Sequence, residues 1–243
     1  IGVYCFKNCS SLVQIKLPEK LTEIREAAFY ATAIPSIEIP EGVTSIGPYA
    51  FKNCTALKDI VLPDTLTSVG ESSFYGCVAL NSITLPKNVT SIEGYAFKNC
   101  TGLKEIGLPD SLKSIGDSAF YGCTSLKKID IPKNVSAVGD YAFARCSNLH
   151  EVTFNGNAPT IYANSFSKVT ATIIYPTNRT GWWIKGNKYG GTLTWEGRVV
   201  DINPGRVNVP QMGRMVQLID DDEIAAYDLY EDEACTKLIE HVD

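Results

Sequence analysis

The chain is poor in the residues and patterns that mark several common functions. It has only two histidines, His150 and His241, and these are too few for most histidine-based catalytic or metal sites. No apolar run approaches the ~18 residues of a membrane-spanning helix. Basic residues are outnumbered, with 22 Lys and Arg against 27 Asp and Glu and a net charge of −5, whereas nucleic-acid binding rests on an excess of basic groups. We therefore predict no transmembrane segment and no nucleic-acid partner.

What the sequence does contain is a regular repeat. Each unit reads F-x-x-C-x-x-L-x-x-I-x-L-P-x-x-V/L-x-x-I-G-x-x-A, and it is complete from Phe97 to Ala119. A fixed period of this length predicts a solenoid, because one unit cannot bury its apolar face alone and stacked units share one core. The phenylalanines that open the units are spaced by 22 or 23 residues: Phe6, Phe29, Phe51, Phe74, Phe97, Phe120, Phe143 and Phe166.

Each repeat contains a segment with the alternating pattern of a short strand. In residues 126–131 the ending Ile-x-Ile has period 2, and the proline after it ends the ladder because it lacks an N–H group. A second extended piece is predicted at residues 89–92, and the Ala-Phe corner before the cysteine is predicted to be helical or 3₁₀. The second repeat, after Phe29, is one residue short and lacks the cysteine, so we expect a pinched corner there.

These repeats resemble the BspA-like leucine-rich repeats of bacterial and some protist surface proteins, over about residues 1–154. The resemblance implies a leucine-rich repeat solenoid with short parallel strands, one per coil of 22–23 residues. It also implies an extracellular or cell-surface protein that binds or adheres to an extracellular or host protein, without enzymatic activity. We predict no catalytic residue and no cofactor, and we expect a signal peptide and further repeats to precede Ile1.

A longer period of two repeats runs inside the first. Residues 48–66, PYAFKNCTALKDIVLPDTL, return 46 residues later at 94–112 as GYAFKNCTGLKEIGLPDSL. The residue after the strand-ending proline consequently alternates in charge, through Asp64, Lys87, Asp110 and Lys133. We expect these residues to place opposite charges on neighbouring coils.

The C-terminal third departs from the repeat. Residues 155–199 are predicted to form a capping segment, with a strand, a short helix and a strand, because terminal repeats must cover the last coil. This segment holds all three tryptophans, Trp182, Trp183 and Trp195, and the alternative is an aromatic platform for sugars. Residues 200–243 are predicted to be a short β-rich tail, either the truncated start of a further module or a segment that docks on the cap.

Six cysteines fall in one column of the repeat: Cys9, Cys54, Cys77, Cys100, Cys123 and Cys146. We interpret them as buried free thiols, with disulfides between neighbouring coils as the alternative. Cys235, in the tail, is either reactive or partly buried. The acidic run at residues 220–223 lacks the spacing of a known calcium loop, so we predict a solvated turn and no metal site.

Two surfaces are candidates for binding. The outward positions at the strands carry Lys58, Asp59, Lys104, Glu105, Lys127 and Lys128. A corner of the coils carries Tyr49, Tyr75, Tyr95 and Tyr121, which either stack between coils or bind a ligand. The sequence therefore predicts a non-enzymatic protein-binding module. The alternatives are a carbohydrate-binding surface that uses Tyr and Trp, and a structural stalk that displays another domain.

Overall fold

The structure, a computed structural model, describes residues 1–182 and 189–198, and beyond them the backbone of the strands Tyr227–Tyr230 and Leu238–Val242. The chain divides into two compact units, Ile1–Val200 and Asp201–Asp243. The predicted short helix of the capping segment falls largely on residues 183–188, outside the described residues. Trp183, Cys235 and the acidic run at 220–223 also lie outside them.

All regular structure in the described residues is β-strand, and most strands are short because turns take up the rest of each coil. In chain order the strands are β1 (Glu23–Ile24), β2 (Ser36–Glu38), β3 (Ser45–Ile46), β4 (Asp59–Val61), β5 (Ser68–Val69), β6 (Ser82–Thr84), β7 (Ser91–Ile92), β8 (Glu105–Gly107), β9 (Ser114–Ile115), β10 (Lys128–Ile131), β11 (Ala137–Val138), β12 (Glu151–Phe154), β13 (Thr160–Ile161), β14 (Thr170–Pro176), β15 (Thr192–Arg198), β16 (Tyr227–Tyr230) and β17 (Leu238–Val242).

The first unit is a parallel-strand solenoid of about seven coils, as predicted. Its two-residue strands form one continuous sheet in the order β1-β3-β5-β7-β9-β11-β13. The longer strands form the other face and coincide with the predicted alternating segment of each repeat. They make the pairs β2-β4 and β6-β8 and the sheet β10-β12-β14-β15. In the second unit β16 and β17 pair antiparallel.

The phenylalanines form a ladder through the middle of the solenoid. Neighbouring rings lie 5.2 to 5.4 Å apart between centroids, with interplanar angles of 2 to 12°. The seven rings from Phe29 to Phe166 are fully buried, and Phe6 of the first coil is partly buried. The ladder therefore runs through one core that the coils share, as the repeat predicts.

The corner before each cysteine is not the predicted helix or 3₁₀ segment but a chain of β-turns. The Ala50 N–H donates to Gly47 O, and the Lys52 N–H donates to Tyr49 O, both within one coil. The Tyr49 N–H between them instead donates to Glu71 O of the next coil, at 2.9 Å. Alternate N–H groups thus form hydrogen bonds with the neighbouring coil, whereas in a helix all of them would bond within one coil.

Neighbouring coils fit together at this corner through an asparagine of one coil and a glycine of the next. Gly76 has a φ of +72°, a conformation that costs residues with a Cβ about 1–2 kcal/mol. A Cβ on Gly76 would also lie 2.5 Å from Oδ1 of Asn53, in the preceding coil. The same arrangement recurs at Gly122 and Asn99. Ala31 and Arg145 adopt a positive φ in the same column, so the backbone alone does not demand glycine. The close approach of the neighbouring asparagine favours glycine at Gly76 and Gly122.

In the short second repeat, Thr32 occupies the position of the missing cysteine. Its side chain is buried, and its Oγ1 lies 3.3 Å from Sγ of Cys54. The missing residue falls between Thr32 and Ile34, so the loss is confined to a turn. The strand that follows keeps its register, since Ser36 still pairs with Asp59 of the next coil.

The two-repeat period of the sequence is visible in how the coils are joined. On the face of the longer strands, β2 pairs with β4, β6 with β8, and β10 with β12. Among the described strands no such ladder joins β4 to β6 or β8 to β10. From β2 to β12, backbone pairing on this face therefore joins alternate interfaces between coils, whereas from β10 onward the sheet is continuous through β14 and β15.

Side-chain pairs join the coils that the ladder leaves out. Lys87 Nζ lies 2.8 Å from Asp64 Oδ2, and this contact raises the pKa of Lys87. Lys133 Nζ lies 3.3 Å from Asp110 Oδ2. The predicted alternation of charge is confirmed in these two pairs. Both span the interfaces between the coils of β4 and β6 and of β8 and β10.

Candidate binding surfaces

The column cysteines of the inner coils are free thiols that act as part of the core. Cys54, Cys77, Cys100, Cys123 and Cys146 are buried, and each S–H donates to a phenylalanine carbonyl of the preceding coil at 2.9 to 3.1 Å. Because burial disfavours the thiolate, the pKa of Cys100 rises to about 12. Burial likewise raises the pKa of Cys54, Cys77 and Cys123. These four thiols are consequently poor nucleophiles and poor metal ligands at neutral pH.

The first coil differs from the others at this column. Cys9 was expected to be buried with the other column cysteines, but it is exposed, as is Cys5. The side of Cys9 that faces away from the second coil is not covered by any described coil. The buried-thiol interpretation thus holds for the five inner cysteines and is wrong for Cys9.

The described residues hold neither a cluster of metal ligands nor a membrane-spanning helix. No group of three or more His, Cys, Asp or Glu side chains in residues 1–182 and 189–198 could hold a metal ion. Within the same part of the chain, no helix has the length and apolar character needed to cross a membrane.

The first candidate surface, the strand face, lies where the longer strands begin. Lys58, Lys104 and Lys127 directly precede β4, β8 and β10, and Asp59, Glu105 and Lys128 are the first residues of those strands. All six side chains are exposed. Strand alternation explains this exposure, because the isoleucine after each first residue points inward and packs on the core.

Three of the four lysines of the strand face form no ion pair with a described residue. Lys128 Nζ lies 3.9 Å from Glu151 Oε1 in the paired strand β12. Lys58, Lys104 and Lys127 form no ion pair with any residue in the described part of the chain. These three ammonium groups are therefore free to contact a partner, next to the carboxylates of Asp59 and Glu105.

The second candidate surface is the tyrosine corner, and its main feature is a set of cation–π contacts. Lys52 Nζ lies 5.1 Å from the ring centroid of Tyr49, in its own coil, and 4.6 Å from that of Tyr75, in the next coil. The arrangement returns 46 residues later, where Lys98 Nζ lies 5.1 Å from Tyr95 and 4.6 Å from Tyr121. Lys98 Nζ also lies 6.0 Å from the ring of Tyr75, in the preceding coil. Each lysine thus bridges tyrosines of neighbouring coils.

The same contacts extend to both ends of the corner. Lys7 lies 4.8 Å from the Tyr4 ring and 5.4 Å from the Tyr30 ring. Arg145 lies 5.7 Å from the Tyr121 ring. We call the surface formed by these cations and tyrosines the Lys–Tyr corner.

Sequence reasoning identified the tyrosines of this corner but missed the cations. The signal for Lys52 and Lys98 was present, because a Tyr-x-x-Lys spacing places both side chains on one turn. The alternate repeats carry tyrosine at the lysine position, as in Tyr75. A column in which Lys and Tyr alternate from coil to coil predicts contact between them.

The tryptophans of the C-terminal segment pack against the last coils. The Trp182 ring lies 5.1 Å from that of Phe154, and its Nε1–H donates to Gly156 O at 3.1 Å. Trp182 and Trp195 lie 6.3 Å apart, and both contact Tyr175, whose pKa is raised by burial. Strands β14 and β15 continue the ladder of β12 in parallel. Such packing is what a cap requires, and the capping role of this segment stays a prediction.

The chain matches a family of leucine-rich repeat proteins. The family model described as BspA type Leucine rich repeat region matches the chain in six copies, over residues 1–100 and 67–180. No curated protein sequence matches the chain.

Several solved structures are similar to this chain. A leucine-rich repeat protein from Bacteroides ovatus is 28% identical, with a TM-score of 0.63, over 82% of this chain and 57% of that protein. The T. pallidum leucine-rich repeat protein is 32% identical, with a TM-score of 0.53, over 66% of this chain and 71% of that protein. A leucine-rich repeat protein from Eubacterium ventriosum is 31% identical, with a TM-score of 0.55, over 59% of this chain and 39% of that protein.

Proposed function

We propose, from the premise that this chain belongs to the BspA-type leucine-rich repeat family, that it is a non-enzymatic binding module of a bacterial surface protein. Its partner would be an extracellular or host protein, held on the strand face. The chain spans little more than half of the Bacteroides ovatus protein that it matches. The proposal therefore concerns the repeats described here and leaves the whole protein's activity aside.

The observation that carries this proposal is the row of free lysines. Lys58 and Lys104 lie two coils apart and Lys104 and Lys127 one coil apart, at about 4.8 Å per coil. A partner with acidic groups would meet several of these lysines at once, and their charges would speed the encounter even though the net charge of the chain is negative. The surface is long and shallow, which suits a protein partner spread over several coils.

Two further observations support a role without catalysis. Burial raises the pKa of four of the buried thiols, those of Cys54, Cys77, Cys100 and Cys123. His150, the one histidine whose side chain is described, lies 3.0 Å through Nδ1 from Asn148 O and is exposed. Nucleophilic catalysis needs a base next to the nucleophile. No described cysteine has a histidine among its hydrogen-bond partners.

The proposal is tested by screening the chain against a panel of extracellular host proteins at low and at high salt. We expect at least one protein of the panel to bind at low salt, and the Lys58→Glu/Lys104→Glu variant to bind it about tenfold or more weakly. A matched control, Lys20→Glu/Lys113→Glu, makes the same change of charge at exposed lysines outside the strand face.

The outcomes separate the candidate functions. Binding that is lost only in the strand-face variant supports the protein-binding module. Equal loss in the control variant, or no binding to any protein of the panel, would contradict it and favour a stalk that displays another domain.

A further inference from the structure

The Lys–Tyr corner carries a row of cations, one in every second coil of the solenoid. Lys7, Lys52 and Lys98 directly follow the phenylalanine of their coil, and Arg145 stands one position later in its own coil. Lys7, Lys52, Lys98 and Arg145 belong to every second coil, and they are separated by 45, 46 and 47 residues. With about 4.8 Å per coil, neighbouring cations of the row lie roughly 10 Å apart. None of the four forms an ion pair within the described residues.

The tyrosines hold these cations in place while leaving them able to bind. The ammonium group of Lys52 contacts the rings of Tyr49 and Tyr75. In this position its N–H groups can still donate hydrogen bonds to a ligand. The ring contacts also restrict the flexible lysine side chain, so less conformational freedom is lost when a ligand binds. A neutral sugar that stacked on these rings would have to displace the lysines.

Hydroxyl and amide groups lie between the cations of the row. Asn53 Nδ2 lies 3.5 Å from the Tyr30 hydroxyl, and Asn99 Nδ2 lies 3.5 Å from the Tyr75 hydroxyl. These contacts are long for hydrogen bonds, so both groups can still bond a ligand. Such groups suit the hydroxyls of a sugar.

Acidic side chains flank the corner and limit which anions fit. The Tyr4 hydroxyl donates to Glu26 at 2.6 Å, and Asp140 accepts the Asn164 N–H at 3.0 Å, so these two carboxylates are engaged. Glu71 is exposed, and it belongs to the coil between those of Lys52 and Lys98. A partner with closely spaced negative charges would be repelled there, whereas one with isolated charges would not.

We propose that the Lys–Tyr corner binds an acidic polysaccharide that lies along the solenoid axis and carries one carboxylate per disaccharide. In an extended β-linked polysaccharide each sugar advances by about the rise of one coil. The disaccharide therefore spans two coils, and successive carboxylates meet successive cations of the row. This site is separate from the strand face and does not depend on the proposed protein-binding function.

The test uses hyaluronan oligosaccharides, in which glucuronate alternates with a neutral sugar, as the binding probe. Chitohexaose serves as a neutral glycan and poly-L-glutamate as a densely charged polyanion that is not a sugar. We expect the chain to bind a hyaluronan decasaccharide more tightly than a tetrasaccharide, because the longer probe reaches more cations. Chitohexaose and poly-L-glutamate are expected to bind at least about tenfold more weakly.

Variants locate the binding on the corner. Lys52→Ala/Lys98→Ala should weaken hyaluronan binding about tenfold or more. Lys52→Arg/Lys98→Arg should retain most of the binding, because arginine also forms cation–π contacts with tyrosine. The control Lys58→Ala/Lys104→Ala, on the strand face, should bind hyaluronan like the wild type. Equal denaturation midpoints of these variants would show that each one folds.

Three results would overturn the proposal: no hyaluronan binding, poly-L-glutamate binding as tight as that of hyaluronan, or the same loss in the strand-face control. Tight poly-L-glutamate binding would instead point to an acidic protein as the partner of this corner. The host-protein panel can fail while hyaluronan binding succeeds, and the reverse, so the two proposals are tested independently.

Discussion

The ammonium group of Lys52 lies 4.6 Å from the centre of the Tyr75 ring, which belongs to the next coil. Lys98 and Tyr121 repeat this relationship at the same distance 46 residues further on. The same interfaces carry the ion pairs of Lys87 with Asp64 and of Lys133 with Asp110. Each coil is therefore complementary to its neighbour and not identical with it, and the structural unit of the solenoid is a pair of coils.

The phenylalanine ladder makes the first prediction. Phe97 is fully buried between Phe74 and Phe120, so Phe97→Ala removes two ring contacts and leaves a cavity. We expect a loss of about 3–5 kcal/mol in the free energy of unfolding, measured by urea denaturation. The control is Phe6→Ala, where the ring is partly buried and stacks only on Phe29, and its loss should be clearly smaller. Equal losses would show that the ladder does not hold the core.

The buried thiols make stability depend on alkaline pH. Burial raises the pKa of Cys77 and Cys100 above the ordinary value of 9.0, so between about pH 9 and the folded pKa only the unfolded state releases these protons. Stability should therefore be unaffected by these groups below about pH 9 and should fall as the pH rises above it. The measurement is the urea midpoint as a function of pH.

A variant isolates the thiol contribution from that of the other groups that titrate at high pH. In Cys77→Ala/Cys100→Ala the fall of the urea midpoint above about pH 9 should be shallower than in the wild type, because two raised thiol pKa values are gone. Parallel curves for the two proteins would mean that burial does not perturb these thiols.

The alternation of asparagine and glycine at the corner makes a third prediction. Gly76→Ala places a Cβ in a left-handed conformation, which costs about 1–2 kcal/mol, and forces the Asn53 side chain to move. The control Gly94→Ala adds a Cβ that would lie 3.5 Å from Asp117 O, an ordinary contact. Thermal denaturation should show a lower midpoint for Gly76→Ala than for Gly94→Ala. A midpoint for Gly76→Ala at or above that of the control would refute the packing requirement.

Trp182 makes a fourth prediction, which separates a cap from a sugar platform. Trp182→Ala removes the contacts with Phe154 and Tyr175 and the hydrogen bond to Gly156 O. We expect it to destabilise the chain, by less than the about 3–5 kcal/mol of a fully buried aromatic, because Trp182 is only partly buried. Unchanged stability, together with lost binding to a glycan array, would reverse this assignment.

Much of the fold is predictable because a 23-residue period leaves few alternatives. The phenylalanine ladder, the strand ends at Ile131 and Ile92 and the pairing of Asp64 with Lys87 all follow from columns of the repeat. The corner was mispredicted as helical because the inward pattern of Ala50 and Phe51 is compatible with a helix. The sequence does not show that alternate N–H groups bond the next coil.

The binding surfaces are less predictable than the fold. The exposure of Lys58 and Lys104 follows from strand alternation. That neither lysine pairs with a carboxylate of the described residues depends on which side chains the neighbouring coils place beside them. The tyrosine column was recognised, whereas its lysine contacts were not, since they join residues 23 positions apart, as in Lys52 and Tyr75. Such contacts become predictable when the residues at each repeat position are compared between neighbouring coils.

The most direct test of the protein-binding function is the salt dependence of the affinity for the host protein that binds best in the panel. Wild type and Lys58→Glu/Lys104→Glu should differ about tenfold or more at low salt, and the difference should shrink as salt screens the exposed lysines. The control Lys20→Glu/Lys113→Glu should follow the wild type at every salt concentration. Equal affinities of wild type and strand-face variant at low salt would contradict binding through the strand face.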